Sequence, residues 1–296
     1  MKTKGTVWVL GASSGLGLAT AQAFAADGWL VVAGARSFAR PPEGAEEPGN
    51  HKGGTQQGSA TEALGGLENV RRLPLDVTSG ESCEQFVREA RAISGEVDVF
   101  CYGAGILLLG PCEETTPEEY EKVMQTNFLG MTRMVQKVLP IMRKQGGGKI
   151  VLMSSLNGLI GIPFQSAYTA SKHAIEGYAK CLTMEMKPFG IQVTVVEPGD
   201  HQGGSQRYRL KAQGAGASSP YRQEYESTCE AIRRDEGHGL LPEKLGQKVV
   251  TNANRKQMRY RVRVASFDQR SAIWLDTLLW PRLFLSILRK YYTKKG

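Results

Sequence analysis

The sequence predicts an α/β protein built on one doubly wound parallel sheet of about seven strands, with helices on both faces. Three observations predict it. Short apolar runs alternate with longer helical patterns, as they do when parallel strands are joined by helical crossovers. The runs are continuous in Val, Ile and Leu, which suits strands covered on both faces. The first run ends in a glycine-rich turn that opens the first helical pattern.

The predicted strands are 6–10, 30–34, 69–73, 97–102, 149–153, 192–197 and 260–264. Each is a short apolar run, such as Thr-Val-Trp-Val-Leu at 6–10 or Ile-Val-Leu-Met at 150–153. The predicted helices between them are 16–26, 81–93, 117–144, 166–187 and 242–251, segments longer and more mixed than strands. No internal repeat and no domain boundary is visible, so residues 1–296 are read as a single domain. Two stretches break the rhythm. Residues 37–66 are rich in Gly, Pro, Glu and Gln and predict a flexible surface excursion. Residues 201–220, with Gly203, Gly204, Gly214 and Gly216, begin a loop region near 200–240. It is either a substrate lid or a plain connector; its place after a strand's C-terminal end, where α/β proteins bind ligands, favours the lid. A final helix is expected near 270–291.

Composition narrows the function classes. Hydrophobic residues at 41% and charged residues at 22% are ordinary for a soluble globular chain. The net charge of +8 gathers toward the C-terminus (Arg255, Lys256, Arg259, Arg261, Arg263, Arg289, Lys290, Lys294, Lys295). No nucleic-acid module accompanies it, so a solvated basic surface is expected and no nucleic-acid partner. Five cysteines without a CxxC pair suit free thiols and a cytoplasmic protein. Four histidines without ligand spacing predict no metal site. The apolar run at 7–10 is too short for a secretory signal, and 273–288 is interrupted by Asp276, Pro281 and Arg282, so no membrane span is expected.

The turn Gly11-Ala-Ser13-Ser14-Gly15-Leu16-Gly17 follows the first strand and opens the first helix. Glycines let the backbone turn sharply and approach a pyrophosphate, and the helix N-terminus supplies free N–H groups and positive potential. The end of the second strand then selects the cofactor. A carboxylate there would accept the ribose 2′-hydroxyl of NAD; the sequence instead reads Gly34-Ala35-Arg36-Ser37. Arg36 either pairs its guanidinium with a 2′-phosphate or is a solvated loop charge; the first is favoured and predicts NADP (NADPH).

Asn127, Ser155, Tyr168 and Lys172 are the candidate catalytic residues. Tyr168 and Lys172, four apart, share one face of a helix. Ser155 lies thirteen residues upstream, just past an apolar strand. Asn127 sits mid-helix, where Asn is disfavoured, which points to a special job. A free tyrosine has a pKa near ~10. A nearby ammonium favours the phenolate and lowers that value. The Ser155 hydroxyl can hold a substrate oxygen and stabilise its developing charge. Ten tyrosines should give roughly 0.7 chance Tyr-x-x-x-Lys matches at ordinary lysine usage. Tyr291 with Lys295 is one such match, with Leu278 rather than serine thirteen residues before it.

These pieces together resemble the short-chain dehydrogenase/reductase family. The resemblance is carried by Gly11-x-x-x-Gly15-x-Gly17, Asp76-Val77-Thr78, Ala104-Gly105, Asn127-Phe-Leu-Gly130, Ser154-Ser155, Tyr168-Thr-Ala-Ser-Lys172 and Pro198-Gly199, in the family's order. It implies a Rossmann-like fold and a set of roles. Asp76, with Val77, would contact the adenine. Ala104, Gly105, Pro198 and Gly199 would border the cofactor. Ser155 would hydrogen-bond the substrate oxygen, Tyr168 would move the proton, Lys172 would bind the nicotinamide ribose, and Asn127 would hold a relay water. Three departures stand out: Leu10 replaces a threonine, Tyr102-Gly103 replace two asparagines that brace strand four, and Gly203 falls where a threonine often meets the carboxamide, with only Ser205 close. The tail Leu278-Leu-Trp-Pro-Arg-Leu-Phe is similar to the C-terminal helix of the 17β-hydroxysteroid and retinol dehydrogenase branch.

The expected substrate is a bulky hydrophobic ketone or secondary alcohol, steroid-like or retinoid-like. Leu107, Leu108, Leu109, Ile160, Ile162 and Phe164 either line its pocket or belong to the core or a dimer surface. The resemblance implies a homodimer or homotetramer through helices 117–144 and 166–187. The last helix packs within the protein, onto a partner, or onto a membrane surface, the first being favoured. His173, Met184, Met186 and Cys181 read as surface or packing groups rather than ligands. Two alternatives stay open: a 3-oxoacyl-thioester reductase, and a non-catalytic NADP-binding sensor or scaffold on the same fold.

Overall fold

A computed structural model describes residues 3–38, 60–203 and 209–293. In chain order the elements begin with β1 (Thr6–Leu10), α1 (Gly15–Ala26), β2 (Leu30–Ala35), α2 (Ala60–Gly65), β3 (Val70–Pro74), α3 (Gly80–Ser94) and β4 (Val99–Tyr102). They continue with β5 (Leu107–Leu109), α4 (Pro117–Met124), α5 (Gly130–Lys144), β6 (Gly148–Met153), α6 (Ser166–Met186) and β7 (Ile191–Pro198). The last are β8 (Arg209–Lys211), α7 (Arg222–Gly237), α8 (Pro242–Ala253), β9 (Arg261–Val264), α9 (Phe267–Leu278) and α10 (Pro281–Tyr292). Seven strands form one parallel sheet in the order β3-β2-β1-β4-β6-β7-β9. The winding reverses between β1 and β4, so a crevice opens at their C-terminal ends, where such sheets bind ligands.

The strands are buried on both faces because their residues alternate between two apolar layers. On β1, Trp8 and Leu10 point to one side and pack with Phe86 of α3, Met134 of α5 and Ile175 of α6. Val7 and Val9 point to the other and pack with Phe24 of α1 and Val249 of α8. Trp8 and Phe86 meet edge to face, with ring centroids 5.9 Å apart. Local chemistry sets the helix ends. The Ser79 hydroxyl accepts the Ser82 N–H at the start of α3, and Thr116 and Glu119 form a reciprocal cap at the start of α4, just ahead of Pro117.

Four features differ from the sequence expectation. The helix expected over 117–144 is broken by one π-helical turn, Gln125–Leu129, which holds Asn127. The region near 200–240 is not all loop. It carries β8, which pairs with β5 in a small second sheet, and the sixteen-residue α7. The helix expected near 270–291 is two helices. Leu279 and Trp280 are extended, and Pro281, which cannot continue a helix but can start one, opens α10. Of the expected excursion at 37–66, residues 39–59 lie outside the described residues, and residues 60–65 form α2. All five cysteines are free thiols. Among the described residues no helix is long and apolar enough to cross a membrane, and no acidic, His or Cys group could hold a metal.

Phe86 is fully buried between α3 and the sheet. Phe86→Ala is expected to cost about 3–5 kcal/mol. Urea unfolding should show a lower midpoint with an unchanged slope.

Candidate active site

The turn after β1 is shaped by close approach. Gly11 and Gly15 adopt left-handed φ angles of +77° and +51°, which favour glycine. A Cβ on Gly11 would stand 2.6 Å from the Ala104 nitrogen, and one on Gly17 would collide with the Gly11 carbonyl. The start of α1, the β1 turn and the chain after β4 are therefore pressed together without side chains between them. Ser13, Ser14 and Leu16 lie half-buried on this turn. The Ser14 side chain makes no cap bond, so the first turn of α1 keeps its N–H groups free for an anion.

Arg36 is exposed at the tip of β2. Asp76 follows β3 beside it and accepts from the Thr78 amide at 2.9 Å and the Thr78 hydroxyl at 2.7 Å. Burial works against the Asp76 charge, but these bonds and the Arg36 guanidinium hold the carboxyl below its usual range. Val77 is buried beneath it.

The four candidate catalytic residues converge at the C-terminal end of β6. Lys172, nearly buried on α6, donates its ammonium to the Met153 carbonyl at 2.8 Å, two residues before Ser155. Its Nζ lies 5.4 Å from the centre of the Tyr168 ring. A Cβ on Gly105 would sit 3.4 Å from Asn127 Oδ1 and 3.8 Å from Lys172 Nζ, so the chain after β4 borders the same spot. Burial pushes the Tyr168 phenol up to about 12, the neighbouring Ser155 hydroxyl pulls it back, and the charges of Asp200 and Glu236 add to the rise. Burial pushes the Lys172 ammonium down to about 8, against the pull of the Glu176 carboxylate.

Asn127 is fully buried and its amide is fully used. Nδ2 donates to the Ile106 carbonyl at 3.0 Å and to the Ser171 hydroxyl at 2.9 Å, while Oδ1 accepts the Ile106 N–H at 2.8 Å. It thus ties the chain after β4 to α6. Tyr102, which replaces an asparagine in the family pattern, braces the same region differently. Its buried hydroxyl donates to the Thr126 carbonyl at 2.6 Å, and the Gly103 N–H reaches the Leu10 carbonyl at 2.9 Å. Leu10 itself sits in the apolar layer.

Several residues at the site escaped the sequence reading. Asn157 donates its N–H to the Ser155 hydroxyl at 3.2 Å and its amide to Gln165 at 2.9 Å, fixing the serine loop. Asn157 and Gln165, polar residues in the otherwise apolar stretch after Ser155, were the available signal. Behind Lys172, one turn further along α6, Glu176 takes Arg261 at 3.1 Å. Arg261 also pairs with the fully buried Glu197, which Arg263 contacts at 2.8 Å. These two arginines are therefore structural partners and not merely a solvated basic surface. Asp200, directly after Pro198-Gly199, is bound through its carboxylate and its N–H by Gln269 of α9. Burial pushes the Asp200 carboxyl up to about 7, Asp235, Glu236 and Asp268 push the same way, and Arg209 opposes them.

The apolar candidates separate. Leu108 and Leu109 are buried in a small core with Ala167, Tyr225 and Ile232, and Ile160 is buried too. Ile162 and Phe164 stay partly exposed. Phe164 holds a left-handed φ of 61°, a conformation that a bulky residue rarely adopts, and its ring meets Tyr225 edge to face at 5.7 Å. Gly203 is described, with φ +71°; Ser205 lies outside the described residues. His173 and Cys181 are exposed on α6, as a surface reading expects; Met184 is exposed as well, whereas Met186 packs against the core. The chance match at Tyr291 ends on Lys295, outside the described residues.

Comparison with known proteins shows the family of the chain. A sequence profile of the family described as short chain dehydrogenase matches residues 5–213. A 3-ketodihydrosphingosine reductase of Bacteroides thetaiotaomicron is 34% identical over 273 residues, covering 91% of this chain and 92% of that protein. Human retinol dehydrogenase 8 is 39% identical over 197 residues, 66% of this chain and 58% of that protein. Among solved structures, a short-chain dehydrogenase from Streptomyces avermitilis superposes with a TM-score of 0.76 at 27% identity, covering 98% of this chain and 97% of that one.

The raised Asp200 carboxyl carries a stability prediction. The folded chain holds this proton more tightly than the unfolded one. The resulting stability is present below the ordinary carboxylate pKa of 3.8 and is lost as pH rises through about 7. Asp200→Asn removes that dependence. Its thermal midpoint should gain on the parent more at about pH 8 than at about pH 5, and an equal difference at both would show that Asp200 ionises as it does in water.

Proposed function

The chain belongs to the short-chain dehydrogenase family, and from that premise we propose that it is an NADP-dependent oxidoreductase of bulky apolar ketones or secondary alcohols. The observation that carries this reading is the convergence of Ser155, Tyr168 and Lys172 at the end of β6, with the ammonium 5.4 Å from the phenol ring. Members of the family use a nicotinamide cofactor, and the residues present fit one. A side-chain-free cradle at Gly11 and Gly17 abuts the N-terminus of α1, as a pyrophosphate requires. Gly11, Ser13, Ser14, Gly15, Leu16 and Gly17 would hold the pyrophosphate. Asp76 and Val77 would border the adenine, and Arg36 would meet a 2′-phosphate. Ala104, Gly105 and Lys172 would flank the nicotinamide ribose, with Pro198 and Gly199 beyond.

When bound, the nicotinamide supplies the hydride for reduction and accepts it for oxidation. The chain's own groups handle the oxygen and the proton. Ser155 donates a hydrogen bond to the substrate oxygen and stabilises charge as it develops there. Tyr168 gives its phenolic proton to that oxygen during reduction and takes one during oxidation. Lys172, held by the Met153 carbonyl, favours the phenolate that remains, as does the Ser155 hydroxyl. The Asn127 amide has no hydrogen left to offer a relay water, because Ile106 and Ser171 take both.

An apolar substrate is supported by the partly exposed Ile162 and Phe164 beside the serine loop. The names of two relatives, a 3-ketodihydrosphingosine reductase and a retinol dehydrogenase, point the same way, toward a lipid-like ketone or alcohol. Assembly through α4–α5 and α6 belongs to the same reading; Met184 of α6 is exposed and available to a second copy.

Two measurements test it. NADPH oxidation against steroid, retinoid and long-chain acyl ketones should show turnover that Tyr168→Phe lowers roughly 10²-fold or more. Retained turnover in that variant would remove the phenol from the reaction. Arg36→Asp should weaken NADPH relative to NADH by about tenfold or more, the worth of a charge-assisted hydrogen bond. An unchanged preference would take the 2′-phosphate away from Arg36.

A further inference from the structure

Among the described residues, most of the exposed large apolar side chains lie on the C-terminal hairpin of α9 and α10. Phe267 is 87% exposed, Trp274 68%, Leu278 74% and Trp280 83%, with Leu283 and Ile287 also exposed. These are not scattered side chains. Phe267, Trp274 and Leu278 recur at helical spacing on one face of α9, and Leu283 and Ile287 on one face of α10, with Trp280 at the bend. Contiguous exposed apolar surface of this kind marks an interaction site.

An adjoining face of α10 is anchored. Phe284 is buried, and Leu288 and Tyr292 are partly so, one turn apart along the helix. Thr228 of α7 donates to the Tyr292 carbonyl at 3.3 Å, the Tyr291 hydroxyl reaches Asp235 at 2.9 Å, and Arg289 pairs with Glu224. At the other end, Gln269 of α9 grips Asp200. The hairpin is therefore held on the body of the protein with its apolar face turned outward.

We propose that this face docks on the headgroup layer of a bilayer containing anionic lipid. Charge supports that occupant. The cations Arg270, Arg282 and Lys290 are exposed beside the apolar residues; α9 also carries Asp268 and Asp276, but α10 contains no carboxylate, so cations outnumber carboxylates on the two helices. Tryptophan, leucine and cations interleaved on a short amphipathic helix suit the boundary between headgroups and acyl chains. A second copy of the chain fits less well. Two-fold contact of this face with itself would set Arg282 and Lys290 near their own copies, and interface cores are depleted in lysine. Neither helix can span a bilayer, so the contact is peripheral.

The location adds a consequence. Gln269 binds the residue after Pro198-Gly199, at the same edge of the sheet as Tyr168. Docking would therefore set the mouth of the site against the membrane, from which an apolar substrate could enter. That consequence rests on the substrate class proposed above; the docking itself does not.

Sedimentation of the full chain with phosphatidylcholine vesicles, with and without phosphatidylserine, tests the docking. The expected result is binding that requires phosphatidylserine and weakens with salt. Trp274→Ala/Trp280→Ala should lower partitioning about tenfold or more, and so should Arg282→Glu/Lys290→Glu, since each basic residue near an anionic surface contributes appreciably. Melting temperature, NADPH affinity and sedimentation velocity in solution should not change in either variant. Absence of vesicle binding in the parent chain would overturn the proposal. So would a change of oligomeric state in the tryptophan variant, which would assign the face to a second copy. Because NADPH affinity is read separately, failure of the docking and failure of the catalytic reading give different results.

Discussion

Lys172 carries an ammonium into the interior, and much of the site is arranged around keeping it there. A buried cation must be hydrogen-bonded or paired, or it loses its proton. The Met153 carbonyl at the end of β6 supplies the bond at 2.8 Å. The Glu176 carboxylate, one turn along α6, supplies the opposing charge, and Arg261, which also pairs with Glu197, holds that carboxylate from behind. The register between α6 and β6 is thus fixed by an electrostatic need as well as by apolar packing. That register in turn sets Tyr168 beside Ser155.

A second constraint acts at the other side of the crevice. Three chain segments meet at Gly11, Gly17 and Ala104 with no room for a Cβ. They must be held there by groups outside the contact. Asn127 does this from the π-helical turn by pairing with both backbone groups of Ile106 and with Ser171. Tyr102 does it from β4 by reaching the Thr126 carbonyl. Where the sequence departs from the family pattern at 102, the chain after β4 is therefore still braced, by the Tyr102 hydroxyl and the Gly103 N–H.

The sheet was legible in the sequence because strands covered on both faces must be apolar throughout. Runs such as 6–10 and 150–153 have no other use. Helix α7 was not legible for the converse reason. It buries only a narrow stripe, Tyr225, Thr228, Ala231, Ile232 and Glu236, and its many charges read as loop. That Ser155, Tyr168 and Lys172 come together could be read because a helix face and a strand end are local geometry. Glu176, Arg261 and Asp200 could not, because their partners lie far away in sequence and only the folded sheet brings them together. The break in the C-terminal helix was signalled by Pro281, but the outward turn of its apolar face was not, since periodicity shows that a face exists and not what covers it.

The proposed chemistry needs a buried ammonium close enough to the Tyr168 phenol, which burial pushes up to about 12, to favour its phenolate. The most direct test is the pH dependence of kcat/KM in the oxidative direction for the parent chain and Lys172→Met, with cofactor affinity measured alongside by fluorescence. The account predicts that the break belonging to the phenol moves upward by about one pH unit or more when the ammonium is removed, even where cofactor still binds. A break at the same pH in both proteins would contradict it.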